Sequence, residues 1–349
     1  MRFHYRLFAN YYGAYPDYRV DGAELDASMV PSGTQLILTE FELPYAGADF
    51  IKSLVRPQIT HLRIGPGTTA IDEWVGVLSD FPALLQLKLD FDTRPSDAEI
   101  AELKSDPTFP PKRIATLPSL QYLHLAGHHA GLKPIAILRH LTFPSTTAIH
   151  FRGWQLKSRE DVARIPLAFQ VMSSAIHRST DHKARAFRSV RMRWYVSSRF
   201  FVVDTWPTVR TVAELNNDFK PGPGSLSVSF GAWSPLAFRV PAIVRPFMSS
   251  FPLADVQALA VVGPGQAPFW SQLTGLRGVT DLSVAILLPT LKFAQVFASE
   301  PSVLPGDDPE QKSAVLFPDL RTLTVTASGE TDKGNNGRAL VKRLQDALL

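Results

Sequence analysis

The chain has 349 residues, of which 45% are apolar and none is cysteine, and its formal net charge is +4 at pH 7. Without cysteine the protein cannot use disulfides, thiolate metal sites or a cysteine nucleophile, and we expect an intracellular location, cytoplasmic or nuclear. The N-terminal sequence lacks the apolar core of a secretory signal, and no apolar stretch is long enough to cross a bilayer. We therefore expect no membrane partner.

Apolar residues recur along the chain with the spacing Φ-x-x-Φ-x-Φ, in which Φ is apolar and x is any residue. The central apolar residues of the copies are, in chain order, Leu62, Leu87, Leu123, Ile149, Val190, Leu226, Leu259, Leu282 and Leu323. The last two apolar positions of each copy alternate, which is typical of a short strand with one buried face. Each copy therefore predicts a strand. The copy at Ile149 is irregular because Thr146 occupies its first position.

Segments between these strands have the apolar spacing of helices. Helices are predicted around residues 50–54, 74–78, 135–141, 243–247 and 340–348. Ser96 followed by Glu99 predicts a capping box at the start of a further helix. The pair Phe-Pro recurs where a helical segment gives way to a strand, with its phenylalanine at Phe81, Phe143, Phe251 and Phe317. Proline ends the helix there, and we expect each phenylalanine to be buried.

The alternation of short strands and helices predicts an α/β fold. We favour a leucine-rich repeat solenoid with irregular repeats, in which parallel strands form the concave face and helices form the convex face. A doubly wound α/β sheet is the alternative, although that fold does not require a fixed apolar triplet. The sequence predicts an aromatic-rich N-terminal cap segment over residues 1–45 and the solenoid over residues 46–349.

Four stretches of the chain resemble the C-terminal leucine-rich region of the F-box-like proteins of mushroom-forming fungi. They are LPSLQYLHLAG, AILRHLTFPSTTAIHF, FPDLRTLTVTA and RALVKRLQDALL, and the resemblance covers roughly residues 55–349. In that family an N-terminal F-box binds the adaptor of a cullin-type ubiquitin ligase, and the repeats hold a substrate. The resemblance implies a substrate-recognition region. Residues 1–45 lack the Leu-Pro opening and Trp-containing end of an F-box, so the ligase adaptor is an expected partner only if an F-box exists elsewhere.

The side chains that alternate with the buried apolar residues would lie on the concave face. The predicted partner-binding residues are His61, Arg63, Gln86, Lys88, Tyr122, His124, His150, Arg152, Arg191 and Arg193. In later copies the equivalent positions are small or weakly polar, at Ser225, Ser227, Ser229, Ala258, Ala260, Asp281, Ser283, Thr322 and Thr324. A face with one sign of charge attracts an acidic segment of a protein partner. The alternative is that these residues serve only as the solvated face of a half-buried sheet.

The sequence predicts no catalytic residues, metal site or cofactor. His124, His128 and His129 are close in sequence, but a metal needs three or four converging ligands and no cysteine or nearby carboxylate joins them. We therefore expect these histidines to face solvent. The chain lacks a Gly-x-Ser-x-Gly nucleophile elbow, and its Gly-Pro-Gly sequences lack the amide donors and lysine of a phosphate loop.

Residues 178–199 contain seven basic residues and one acidic residue, Asp181, and this stretch accounts for the whole excess positive charge of the chain. Its basic residues are Arg178, Lys183, Arg185, Arg188, Arg191, Arg193 and Arg199. Because Trp194 and Tyr195 lie among them, RNA binding through this patch is one alternative function. An uncharacterised enzyme on a doubly wound α/β fold is another. The favoured interpretation is a non-enzymatic protein-interaction module, and nucleic acid is not an expected partner.

Overall fold

The structure is a computed structural model of the 349-residue chain. It describes residues 5–6, 40–43, 59–67, 70–91, 96–105, 111–127, 132–156, 158–183, 185–195, 200–217, 219, 221–232, 240–263, 267–286 and 317–327. The chain forms two compact units: unit 1 is Met1–Gln155 with Gln170–Ala184, and unit 2 is Leu156–Phe169 with Arg185–Leu349. The predicted boundary between residues 45 and 46 stays a prediction.

The described residues form a mixed α/β structure. The strands are β1 (Tyr5–Arg6), β2 (Glu40–Leu43), β3 (His61–Gly67), β4 (Gln86–Phe91), β5 (Ala115–Thr116), β6 (Tyr122–Ala126), β7 (Leu141–Thr142), β8 (Ala148–Leu156), β9 (Ser189–Tyr195), β10 (Phe200–Trp206), β11 (Leu226–Ala232), β12 (Ala258–Val262), β13 (Asp281–Ile286) and β14 (Thr322–Ala327). The α-helices are α1 (Ile71–Leu78), α2 (Asp97–Ser105), α3 (Lys133–Arg139), α4 (Arg159–Ala163), α5 (Ile165–His177), α6 (Val212–Asn216), α7 (Val240–Ser250) and α8 (Ala267–Trp270). No helix in these ranges is long and apolar enough to span a membrane.

In unit 1 the sheet has the strand order β1-β2-β3-β4-β6-β8, and neighbouring strands are parallel. The short strands β5 and β7 pair separately. Leu62, Leu87, Leu123 and Ile149 occupy one row of residues paired across the strands, and all four are buried. The predicted strands, and the central apolar residues that located them, are therefore confirmed in this unit.

The same tight turn comes before β4, β6 and β8. Its hydrogen bonds, 3.0 to 3.2 Å long, join the N–H of Leu84 to the carbonyl of Phe81, that of Leu120 to Leu117, and that of Thr147 to Pro144. The last residue of the turn is buried each time, so the chain enters the strand with its apolar positions directed into the core. At the irregular copy this buried residue is Thr147 and not Thr146, and its hydroxyl donates to the Leu120 carbonyl at 2.6 Å.

In unit 2 the strand order is β11-β10-β9-β12-β13-β14. Val190, Leu259, Leu282 and Leu323 form one row across the parallel strands β9, β12, β13 and β14. The turn of unit 1 recurs before β12, β13 and β14, where the N–H groups of Val256, Val279 and Leu320 donate to the carbonyls of Leu253, Leu276 and Phe317. Most of this row is buried, and Leu323 on β14 is half-buried.

The expectation of parallel strands throughout is wrong at β10. This strand is antiparallel to both β9 and β11, and it separates two strands that the sequence pattern treated as neighbours. Only residues 196–199 lie between β9 and β10, which is too short for the crossover that a parallel pair needs. The strand was missed because its sequence, FFVVDTW, has no Φ-x-x-Φ-x-Φ triplet.

The predicted helical segments are confirmed where the structure describes them, except that Leu141, the last residue of the segment 135–141, lies in strand β7. Helices α1, α3 and α7 fall on the predicted segments, whereas residues 50–54 and 340–348 lie outside the described ranges. Helix α2 begins with the predicted capping box, in which the Ser96 N–H donates to Glu99 Oε2 at 2.6 Å and the Glu99 N–H donates to Ser96 Oγ at 3.2 Å. The phenylalanines of all four Phe-Pro pairs are buried.

Replacing Leu87 by alanine should lower the free energy of unfolding by about 2–5 kcal/mol, because the residue is fully buried in the middle of the unit 1 row. Urea denaturation measures this change. As a control, Gln121→Ala at the exposed residue directly before β6 should stay within about 0.5 kcal/mol of the wild type. A loss below about 1 kcal/mol for Leu87→Ala would show that the row does not stabilise the fold.

Candidate functional site

Eight of the ten predicted partner-binding residues lie together on one face of the unit 1 sheet. This basic face comprises His61, Arg63, Gln86, Lys88, Tyr122, His124, His150 and Arg152. Their positions on β3, β4, β6 and β8 alternate with the buried apolar residues, so their side chains point to the opposite side. Arg63 and Arg152 are exposed, and the other six are half-buried.

The centre of the basic face is a row across four adjacent strands. Arg63 pairs with Lys88, Lys88 with His124, and His124 with His150. Neighbouring strands lie about 4.8 Å apart, so the row extends over about 14 Å. Arg152, two residues beyond His150 on β8, lies on the same face. Basic or histidine residues thus follow one another across these four strands, and Glu42 on β2 pairs with Arg63 at the end of the row.

Tyr122, His124 and His150 form a contact cluster within this face. Tyr122 Oη lies 3.5 Å from His124 Nδ1 and 3.5 Å from His150 Nδ1, longer than a typical hydrogen bond. The two imidazole rings pack edge to face with centroids 4.9 Å apart. Lys88 Nζ lies 5.8 Å from the centre of the Tyr122 ring. The packing explains why His124, which was expected to face solvent, is half-buried.

The environment of His124 disfavours its protonated form. Burial lowers the pKa of His124 to about 3, and the positive charges of His150, Lys88, Arg152 and Arg63 act in the same direction. Burial raises the pKa of Tyr122, while the charge of Arg152 opposes that shift. His124 is therefore neutral near pH 7, and it lies in a positive potential that would favour a bound anion.

Within the described ranges, no group of three or more His, Asp or Glu side chains is arranged to hold a metal ion. His128 and His129, the two histidines that follow His124 in the sequence, lie outside those ranges. His124 instead contacts Tyr122 and His150.

The prediction that Arg191 lies on an open face is wrong. Its side chain is 1% exposed and forms an ion pair with Asp204, which is 0% exposed, with Nη2 and Oδ2 2.8 Å apart. Arg191 Nη1 donates to the carbonyl of Leu215 at 2.7 Å and to that of Asn217. Ser227 Oγ donates to Asp204 Oδ1 at 2.7 Å. Arg191 therefore holds the end of helix α6 against the sheet of unit 2.

Helix α6 and the residues after it cover the sheet face that carries Arg191. Leu215 packs with Trp206, Ala258 and Ala260 in one buried cluster, against which Phe219 lies. Small side chains leave room for this close approach. The expectation of an open face is wrong at Ser225, Ser227, Ser229, Ala258, Ala260 and Ser283, which are all buried.

Arg193 has a more exposed position than Arg191 but is not a free cation. Its side chain is 16% exposed, and Nη2 lies 3.2 Å from Asp204 Oδ2. Arg191 and Arg193 belong to unit 2, whereas the row from Arg63 to His150 belongs to unit 1. A capping box at Thr211 and Glu214 marks the start of α6 and is visible in the sequence. Together with the small residues at Ala258 and Ala260, it could have indicated that a helix covers this face.

The basic stretch at residues 178–199 does not form one exposed patch in the described part of the chain. Arg185 and Arg191 are buried, and Arg193 pairs with Asp204. Arg178 Nη2 donates to the Arg139 carbonyl at the end of α3, at 2.6 Å. Lys183 and Arg188 are exposed, and Arg199 lies outside the described residues. Part of the positive charge of this stretch is therefore buried or paired inside the protein.

No family model, curated protein or solved structure matches this chain.

Replacing Arg191 by methionine should lower the free energy of unfolding by about 3–5 kcal/mol, because the buried charge of Asp204 would lose its main partner. Urea denaturation of the full chain measures the effect. Arg188→Met is the matched control, since Arg188 precedes the same strand and is exposed, and its effect should stay within about 0.5 kcal/mol. Equal losses in the two variants would contradict a stabilising role for the buried pair.

The free energy of unfolding should decrease as the pH falls from about 6.5 toward about 3. The unfolded chain protonates His124 near pH 6.5, whereas the folded chain keeps it neutral down to about 3. This one group contributes a slope of at most about 1.4 kcal/mol per pH unit, and stability is lost on the acidic side. Urea denaturation at several pH values should therefore give a shallower dependence for His124→Gln. His182→Asn, at an exposed histidine, is the control and should keep the wild-type slope. If His124→Gln also keeps it, His124 does not cause the loss of stability at acidic pH.

Proposed function

We propose that this chain is a non-enzymatic protein-interaction module built from leucine-rich repeats, and that its basic face binds an acidic segment of a protein partner. The observation that carries the proposal is the row of Arg63, Lys88, His124 and His150 across four adjacent parallel strands. A face rich in cations attracts and orients an oppositely charged segment, and here the cations outnumber the one acidic residue of β4 on this face, Asp90.

The recurrence of one turn directly before several strands supports the interpretation of the chain as a repeat protein. In unit 1 the same turn precedes three strands, and a further three strands of unit 2 begin with it. Each strand presents its apolar residues in one row with those of its neighbours, so no single repeat can bury its apolar face alone. Within each unit this is the arrangement expected of stacked leucine-rich repeats. The inserted strand β10 and the helix α6 make the proposed repeats irregular.

The dimensions of the face favour an extended segment. An extended chain advances about 3.3 Å per residue, so the row of about 14 Å would lie along four or five residues of a segment crossing the strands. Alternate side chains of such a segment point to the same side. Two or three acidic residues could therefore reach the row. Screening by salt should weaken their attraction to it.

The resemblance to F-box-like proteins of mushroom-forming fungi suggests what the partner would be. In that context the acidic segment would belong to a substrate of a ubiquitin ligase, and the protein would act inside the cell. A ligase adaptor would join the complex only through an F-box elsewhere. RNA binding is less well supported, because Arg185 and Arg191, which motivated it, are buried. No specific observation favours an enzymatic function.

The proposal is tested with a fluorescein-labelled decapeptide of alternating glutamate and glycine, whose binding to the full chain is followed by fluorescence anisotropy at low salt. The double variant Lys88→Glu, Arg152→Glu should weaken binding by about tenfold or more, since it removes two cations and adds two repulsive charges. The free energy of unfolding and the circular dichroism spectrum should show that the variant still folds.

The matched control is Lys112→Glu, Arg113→Glu, which makes the same change in net charge at two exposed residues ahead of β5. This control should bind the peptide within about twofold of the wild type, because screening limits the reach of surface charges. Equal weakening in both double variants would show that only net charge matters. That result, or the absence of any binding by the wild type, would refute the proposal.

A further inference from the structure

The basic face contains a smaller feature, the cluster of Tyr122, His124 and His150 with Lys88 and Arg152 beside it. We infer that this cluster is a binding site for one tetrahedral oxyanion of the phosphate class, either free or carried as an ester. The inference deepens the proposed function, because it assigns a chemical class to the anionic group at the centre of the face. Its test uses a different probe, so the two can fail separately.

Three side chains that can each donate a hydrogen bond lie together in the cluster. The Tyr122 hydroxyl lies 3.5 Å from Nδ1 of both His124 and His150, and the imidazole centroids are 4.9 Å apart. Each imidazole has at least one N–H in either protonation state, and the tyrosine hydroxyl adds an O–H. The polar contacts inside the cluster are long, so a ligand oxygen with better geometry could replace them. A tetrahedral oxyanion presents several oxygens to donors that approach from different strands.

Cations from three strands lie on the same face as this cluster. Lys88 on β4 lies 5.8 Å from the Tyr122 ring, and the charges of Lys88, Arg63 on β3 and Arg152 on β8 all act on His124. The attraction between charges grows with the charge of the ligand, so a dianion gains about twice as much as a carboxylate. The cluster is also half-buried, which limits screening by solvent. These two features favour a phosphate-class dianion over an isolated acidic side chain.

A metal ion is the competing occupant of the same three side chains. Ligand atoms bound at about 2.0–2.1 Å in a tetrahedral site are about 3.3 Å apart, close to the two Oη–Nδ1 distances of 3.5 Å. A divalent cation would, however, be repelled by the charges of Lys88, Arg63 and Arg152 that act on His124. The electrostatics therefore favour the anion, and zinc serves as an arm of the test.

The test follows the imidazole nitrogens of the full chain by long-range proton–nitrogen NMR, with signals assigned through His124→Gln and His150→Gln. Inorganic phosphate, sulfate and acetate are titrated separately at constant ionic strength near neutral pH. Phosphate should shift both imidazole signals saturably and raise the pKa of His124, since a bound anion favours the protonated ring. Acetate should bind at least about tenfold more weakly, because it carries a single charge.

Variants separate this site from general attraction to a basic protein. Lys88→Gln and Arg152→Gln should each weaken phosphate binding by about tenfold, which corresponds to the loss of one charge-assisted hydrogen bond. Lys112→Gln, at an exposed position ahead of β5, should leave it unchanged. A titration with O-phosphoserine identifies the source: tighter binding than inorganic phosphate indicates an ester, and weaker binding indicates a free oxyanion. Either result supports the site.

Three results would overturn the inference: no shift of the His124 and His150 signals with phosphate or sulfate, equal binding of acetate and phosphate, or saturable binding of zinc in place of phosphate. If the glutamate peptide binds but phosphate does not, the oxyanion site is refuted and the proposed function survives. If phosphate binds but the peptide does not, the site survives without the proposed function.

Discussion

The buried apolar rows, held in register between neighbouring strands, determine where all the remaining side chains of these sheets lie. In unit 1, Leu87 and Leu123 pair directly and both enter the core. Because side chains alternate along a strand, Lys88 and His124 must then lie side by side on the opposite face. A slip of one residue would expose the leucines and direct the basic side chains into the core, at a large cost in free energy. The basic face is therefore a direct consequence of how the core packs.

The two units use the face opposite the apolar row in different ways. In unit 2 the small side chains of Ala258 and Ala260 allow a helix to pack directly on the sheet. Arg191, a large cation beneath that helix, is matched by Asp204 and by the carbonyl of Leu215. In unit 1 the equivalent strand positions hold long polar side chains. The strand positions opposite the apolar row thus pack against a helix in unit 2. In unit 1 the equivalent positions carry the cations on which our proposal depends.

Local patterns predicted much of the fold, because the strands and their turns depend on residues close in sequence. The Φ-x-x-Φ-x-Φ spacing located the rows through Leu87 and Leu282, and the Phe-Pro pairs marked buried phenylalanines. Strand β10 escaped prediction because its place depends on pairing with β9 and β11, which the triplet does not encode. The same pattern could show which side of the strand a residue occupies, but not what covers that side.

For the candidate site, the sequence likewise predicted the side of the strand on which a residue lies, but not what covers that side. Eight residues were correctly assigned to one face by alternation alone, including Lys88 and His124. The burial of Arg191 depends on Asp204 and on a helix that begins at Val212, both distant in sequence from its own strand. The lowered pKa of His124 likewise arises from charges on other strands. Such effects become visible only once the strands are placed beside one another.

The most direct test of the proposed arrangement measures the register between β4 and β6 with pairs of introduced cysteines. Because the chain contains no cysteine, only the introduced pair can form a disulfide. Directly paired residues such as Lys88 and His124 have Cα atoms about 5 Å apart, within the range of a disulfide, whereas Lys88 and Tyr122 would be about 8 Å apart, beyond it. Under mild oxidation the pair Lys88→Cys, His124→Cys should cross-link, and the pair Lys88→Cys, Tyr122→Cys should not. Preferential cross-linking of the second pair would contradict the register, and with it the arrangement of the basic face.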